Sequence, residues 1–194
     1  MKEGMNGVTT KTPDNIPFGA GTFHRGLKYT QGSGWNFAET IVGATNGGSN
    51  FAIVPEIYNV PLDGVNVPMK ETTGKIGETA TMTANMAEIT EEIIKAAALA
   101  MESVSEDEMY TLLESKEEIT TDDFWDNVAF VGKTLKGKNI IVIMPNALCT
   151  SGLNHQGANK ESVTNAYTFT CHASLEQVNL NKLPWKIYYP KATA

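Results

Sequence analysis

The chain is poor in the residues that carry most enzyme chemistry. It has only two cysteines, Cys149 and Cys171, and three histidines in 194 residues. Two cysteines make no disulfide framework, and they read as free thiols of a reducing cytosol, buried as small hydrophobes of strands. Basic residues are outnumbered, 15 against 22 acids, for a formal net charge of −7. A protein that grips nucleic acid through phosphate contacts needs the opposite balance, whereas an acidic wall past which DNA slides is compatible with it. No run approaches the ~18 apolar residues of a membrane span. The leading MKEGMNGVTTKTPDN lacks the apolar core of a signal peptide. These absences predict a soluble protein, made and kept in a cytoplasm, without membrane insertion. There is no tandem repeat and no low-complexity tract.

What is present points to strands and turns: 17 glycines, with many Thr and Asn. The length suggests one domain with arms. Residues 1–22 read as an extended arm ending in Phe18-Gly19-Ala20-Gly21, residues 23–175 as the domain, and 176–194 as a tail. A short strand is expected at 23–29. Runs at 38–45 and 50–60 flank Asn46-Gly47-Gly48-Ser49, which predicts a hairpin turn, and Pro55 marks an edge or a bulge. Residues 61–75 form a long loop, and a long loop in a compact domain usually has a binding role. Ile76, Glu78, Ala80, Met82 and Ala84 then alternate with Gly and Thr as in a strand.

A helix is predicted from about 90 to 101, N-capped by Thr90, with Glu91 and Glu92 in its first turn and Ile89 and Ile94 at staple spacing. Its core-facing residues are taken as Ile89, Ile93, Ala97 and Ala100, with Ala96 on the same stripe. Ser105-Glu106-Asp107-Glu108 reads as a capping box and predicts a second helix over 105–115, completing a helical block at 90–115. Strands resume at 128–135 and 140–144 around a Lys136-Gly137-Lys138-Asn139 turn. Residues 165–174 put Tyr167, Phe169, Cys171 and Ala173 on one face, and Trp185, Ile187 and Tyr189 mark a last strand. The fold class is α+β, mainly β.

No catalytic set emerges. Gly43 to Gly48 lacks the Gly-Lys-Ser/Thr ending and following helix of a phosphate loop. Cys171 and His172 are strand neighbours that point to opposite faces, leaving Cys149 and His155 as scattered ligands, so no metal is expected. The carboxylates, including Asp122 and Asp123, read as caps and solvated faces without the spacing of a calcium loop. No cofactor is expected.

The order of elements resembles the major tail (tail tube) proteins of siphophages and related prophages. The resemblance rests on Gly43-Ala44-Thr45-Asn46-Gly47-Gly48, Pro55-Glu56, Asp63-Gly64, the Thr-rich 76–86, and Glu88-Ile89-Thr90-Glu91-Glu92. It continues through Asn127 to Gly132, IIVIMPNALCTSGLNHQ and YTFTCHA, and spans about 35 to 175. It implies a β-sandwich or barrel-like subunit with a flanking helix, a long stacking loop and terminal arms. Such subunits form hexameric rings, stacked into a conduit through which double-stranded DNA passes non-specifically, with an acidic lumen. The loop residues carried over as stacking candidates are Pro61, Asp63, Gly64, Val65, Pro68, Lys70 and Glu71. Implied partners are further copies of the chain, a tape measure protein, a tail terminator and distal tail or baseplate proteins, with the virion tail as location. The acidic link 102–127 departs from the family pattern and reads as a decoration of the outer surface. Alternatives are the inner tube of a contractile tail or phage-tail-like bacteriocin, and a non-enzymatic sugar-binding β-sandwich.

Overall fold

Period-two alternation sets the frame of the fold. The computed structural model describes residues 7–157, 159–160, 163–178, 180 and 182–191. In chain order, helix α1 (Thr12–Asn15) leads into β1 (Pro17–His24), β2 (Tyr29–Thr30), β3 (Gly34–Trp35), β4 (Thr45–Asn59) and β5 (Thr73–Met86). Helix α2 (Glu91–Ala98) follows, then β6 (Ala100–Ser103), β7 (Leu112–Ser115), β8 (Trp125–Thr134), β9 (Asn139–Cys149) and β10 (Asn165–Cys171). Helix α3 (Leu175–Val178) and β11 (Lys186–Tyr188) complete the chain. The protein is mainly β and antiparallel, with helices as minor elements.

One seven-stranded sheet runs in the order β1-β8-β9-β10-β5-β4, with β11 pairing β9 over Ile141–Ile143 beside the β10 ladder. Along β5, Ala80, Met82, Ala84 and Met86 are buried while the intervening Thr81, Thr83 and Asn85 stay on the opposite face. Tyr167, Phe169 and Cys171 of β10 join them inside. Phe169 lies 5.3 Å from Phe23 and 4.8 Å from Trp125, centroid to centroid. The central strands β8 and β9 are buried on both faces, which explains the unbroken apolar run Ile140 to Met144. Val128, Val142 and Met144 face the main core. Ala129, Val131, Ile141 and Ile143 face a second cluster under Leu27, Trp35 and Phe37. The sheet curls until its end strands β1 and β4 approach each other, with Phe51 of β4 5.9 Å from Phe130 of β8. No ladder among the described residues joins these ends, so the curl is not closed into a barrel.

Helix α2 covers one side of the core. Thr90 caps it, its hydroxyl accepting from the Ile93 N–H at 3.3 Å. Ile93, at 2% exposure, Ala96 and Ala97 point inward. Arg25 pairs with Glu92 and lies 4.6 Å over the Trp125 ring, tying the helix to β8. The helix ends at Leu99, held in the left-handed region at φ 50°. Two residues assigned to its core face therefore fall elsewhere. Ile89 precedes the cap and is 37% exposed, and Ala100 has already entered β6.

The second helix, expected over 105–115, does not form. Ser105 Oγ accepts from the Asp107 N–H at 3.2 Å, and Asp107 Oδ1 accepts from the Met109 N–H at 2.9 Å. These local side-chain bonds compete with helix formation, and Leu112–Ser115 pair with Ala100–Ser103 instead. The hairpin expected at Asn46–Ser49 is also corrected. Gly47 and Gly48 do take positive φ, at 85° and 84°, but as an irregularity inside the continuous strand β4. Turn chemistry and bulge chemistry use the same residues, and only the partner strand β5 decides between them. Residues 38–44 form a short 3-10 turn and an isolated bridge from Ile41 to His24 rather than a strand of that hairpin.

The arms are shorter than expected. Residues 17–22 belong to β1, where Gly21 has φ 72° and a Cβ would stand 2.4 Å from the Phe130 ring. The strand expected at 23–29 thus begins earlier and ends at His24. Residues 1–6 and 192–194 lie outside the described residues. In the tail, Trp185 and Leu183 pack on the core, and β11 docks on β9. The hairpin expected at 128–144 is present as β8 and β9, with Gly137 at φ 77° in its turn.

One carboxylate of β5 also ties the tail to the sheet. Glu78 accepts from Leu183 N–H at 2.7 Å and Trp185 Nε1 at 3.3 Å, and Lys75 Nζ stands 2.6 Å away. Hydrogen bonding from Lys75, then from Leu183, holds the Glu78 carboxyl below the usual glutamate range against the opposing effect of burial. A depressed carboxylate contributes stability above its unfolded value, roughly 4.3, and loses it as pH falls through the folded one. Glu78→Gln is therefore expected to lose about 1–3 kcal/mol in urea unfolding at neutral pH. The gap to the wild type should narrow in acid; a gap independent of pH would show that the charge of Glu78 is immaterial.

Candidate functional site

The largest feature not used by the core is the β4–β5 hairpin. Its inner half is anchored through pairs such as Phe51 with Met82 and Ile53 with Ala80. Its outer half runs on through Glu56, where the register shifts, to the last pair, Asn59 with Thr73. Among the described residues, no layer covers this outer half. Val54, Ile57, Tyr58, Val60, Val67 and Ile76 are all exposed. The tip is nonetheless built: Val60 N–H donates to Thr72 O at 3.0 Å, Val65 N–H to Leu62 O at 3.1 Å, and Thr73 Oγ1 to Met69 O at 2.8 Å. Gly64 supplies φ 81° after Asp63. Pro61, Asp63, Gly64, Val65, Pro68, Lys70 and Glu71 all sit on this tip or its 3-10 turn, exposed. Asp63, Lys70 and Glu71 form no ion pair among the described residues.

Strand β4 is also the end of the sheet. Edge strands of monomers are usually short or guarded by charge. This one has fifteen residues and a single charged side chain, Glu56, and is interrupted only by Pro55 and the register shifts at Thr45/Ser49 and Glu56/Ile57. A long unguarded edge beside contiguous exposed apolar side chains has the form of an association surface. Sequence reasoning found the tip from its length and turn residues. Pro55 marked an edge or a bulge, and β4 is an end strand with a register shift just after Pro55; its full length was missed, because the glycines at its start suggested a turn.

The face opposite the main core is uncharged across its middle rows. Thr83 meets Thr168 at 2.9 Å and Thr150 meets Thr170 at 2.9 Å, hydroxyl to hydroxyl, flanked by Asn50 and Ala52 of β4.

The remaining reactive groups do not converge. Cys149 and Cys171 are free and buried; burial pushes both thiols up, Cys171 to about 11, away from the thiolate a nucleophile needs. His155 Nδ1 meets the Asn165 amide at 3.2 Å, and His172 Nδ1 donates to Thr170 O at 2.9 Å. Buried His24 sits between Thr22, 2.7 Å away, and Thr40, 3.0 Å away, and burial lowers its pKa. Among the described residues, no three His, Cys, Asp or Glu side chains are grouped to hold a metal, and no helix is long and apolar enough to cross a membrane. Compared with known proteins, the chain matches no family model and no curated protein.

Proposed function

We propose that the chain is the tail tube subunit of a long-tailed bacteriophage, a structural protein whose hexameric rings stack into a conduit for viral DNA. The observation that carries this reading is the β4–β5 hairpin: an unguarded edge strand continued into an apolar, exposed and internally ordered tip. In a monomer this surface is an aggregation hazard; in a closed ring, edge pairing removes the edge. The residues behind the resemblance to siphophage tail tube proteins, Gly43 to Gly48, Pro55-Glu56 and Asp63-Gly64, lie on or beside this same hairpin.

The uncharged face of Thr81, Thr83, Thr168 and Thr170 is the surface of the sheet suited to line a pore. Hydroxyls and amides offer a polyanion neither strong attraction nor fixed counter-charges. Such a lining is polar rather than acidic, unlike the lumen the resemblance implies. The role is structural rather than enzymatic. The partners are further copies of the chain and, at the ends of the tube, a tape measure protein, a terminator and distal tail proteins, in the virion tail.

Negative-stain electron microscopy of the purified protein over a concentration series tests the reading. Stacked rings or hollow tubes with a pore wide enough for duplex DNA are the expected result. A protein that remains monomeric at every concentration, even when seeded with distal tail components, would count against it.

A further inference from the structure

We infer that a lysine-lined cleft beside the C-terminal strand receives the acidic β6–β7 hairpin of a second copy of this chain. The cleft has a volume of about 470 Å3 and lies between β5 and the segment leading into β11. Lys75, Lys182 and Lys186 line it together with Glu78, and Leu180, Pro184 and Trp185 add apolar surface. Lys75 is engaged with Glu78, but neither Lys182 nor Lys186 forms an ion pair among the described residues. In a chain of net charge −7, this is a local concentration of unneutralised positive charge on an apolar surface.

The β6–β7 hairpin has the complementary character. It is a two-stranded sheet separate from the main one, and such a hairpin is marginal by itself. Its base is fixed: Lys95 pairs with Glu102, Lys116 N–H donates to Leu99 O at 3.3 Å, and Lys116 Nζ meets Asp123 Oδ1 at 2.6 Å. The tip is shaped by the Ser105 and Asp107 turns and holds Val104, Met109 and Tyr110 at 93%, 87% and 70% exposure. Glu106 and Glu108 belong to the same tip, Glu114 lies on β7 and Glu117 and Glu118 follow it at the base, none of them in an ion pair among the described residues. Met and Tyr are typical anchors of protein interfaces, and a charged rim of one sign selects a partner of the other. None of the residues lining the cleft belongs to the hairpin, so the subunit does not fill the cleft with its own tip. The contact is heterologous, tip to cleft, and such contacts generate closed rings or open tubes.

The inference rests on the tube reading, and the experiment separates the two. Assembly of the full chain is followed by sedimentation and electron microscopy for three proteins: K182E/K186E, E106K/E108K, and the four changes combined. All four positions are exposed, and thermal melting checks that each variant folds. Each double variant is expected to raise the apparent dissociation constant at least about tenfold, because attraction becomes like-charge repulsion. The combined variant should recover most of the wild-type affinity. Raised salt should weaken the wild type and the combined variant alike. Wild-type tubes with variants that assemble equally well, or a combined variant no better than its parents, would overturn this contact and leave the tube reading standing. A wild type that stays monomeric at every concentration, even when seeded with distal tail components, would overturn both. Retention of duplex DNA that K182E/K186E abolishes, with assembly unchanged, would place a nucleic acid in the cleft and overturn the inference.

Discussion

Replacing residues 61–71 with an Asn-Gly turn is expected to abolish tube formation while leaving the subunit folded. The replacement is compatible with the fold because Asn59 and Thr73 already form the last pair of the ladder, and Val60 N–H already donates to Thr72 O. A two-residue Asn-Gly turn suits the twist of such a hairpin. The removed segment contributes nothing to the main core, so thermal melting should move by no more than about 0.5 kcal/mol in equivalent stability. Solubility should improve, since Leu62, Val65 and Val67 are exposed apolar side chains. Assembly should fall to monomer at concentrations where the wild type forms rings or tubes, measured by sedimentation and microscopy. Tubes of normal length from the shortened protein would mean that the tip is not the stacking element. A shortened protein that melts far lower would mean that the tip is part of the folded core.

The second large effect is on stability. Ile93→Asp places a carboxylate where a side chain of 2% exposure packs in the main core. An unpaired charge there must be neutralised or the helix must leave the sheet, and either route costs about 3–5 kcal/mol. Against a typical total of about 5–15 kcal/mol, that is a large share of the stability. For a chain of this length the melting point should fall by roughly 6–20 °C. Ile93→Val is the control and should cost only about 1 kcal/mol. Ile89→Asp, at a position the sequence pattern places on the same face, should be nearly silent because Ile89 is exposed. Equal melting of Ile93→Asp and the wild type would show that this face of α2 does not carry the packing. Loss at Ile89 comparable to that at Ile93 would restore the longer helix.

The two residues mark where sequence patterning was sufficient and where it was not. Local signals with one physical outcome were legible. Thr90 followed by two glutamates specifies a helix start. Alternation from Ala80 to Met86 specifies a half-buried strand, and Lys136-Gly137 specifies the turn between β8 and β9. From these the mainly β, antiparallel class with a flanking helix follows, as does the exposed tip at Pro61 to Glu71. The burial of Cys149 and Cys171 was readable from their strand contexts as well.

Tertiary structure decided whatever had two local solutions. Gly47-Gly48 serves a turn or a bulge equally well, and the long ladder of β4 with β5 made it a bulge. Ser105 to Glu108 serves a helix cap or an Asx-type turn, and the pairing of β7 with β6 made it the turn. Gly19 and Gly21 looked like the end of an extended arm, yet they lie in β1, and the close approach of Phe130 shows why the strand needs glycine at position 21. The curl of the sheet, the docking of the tail on Glu78, and the separation of an acidic tip from a lysine-lined cleft depend on contacts between residues far apart in the chain. Local patterning carries no record of such partners, because a strand's alternation states which face is buried but never against what.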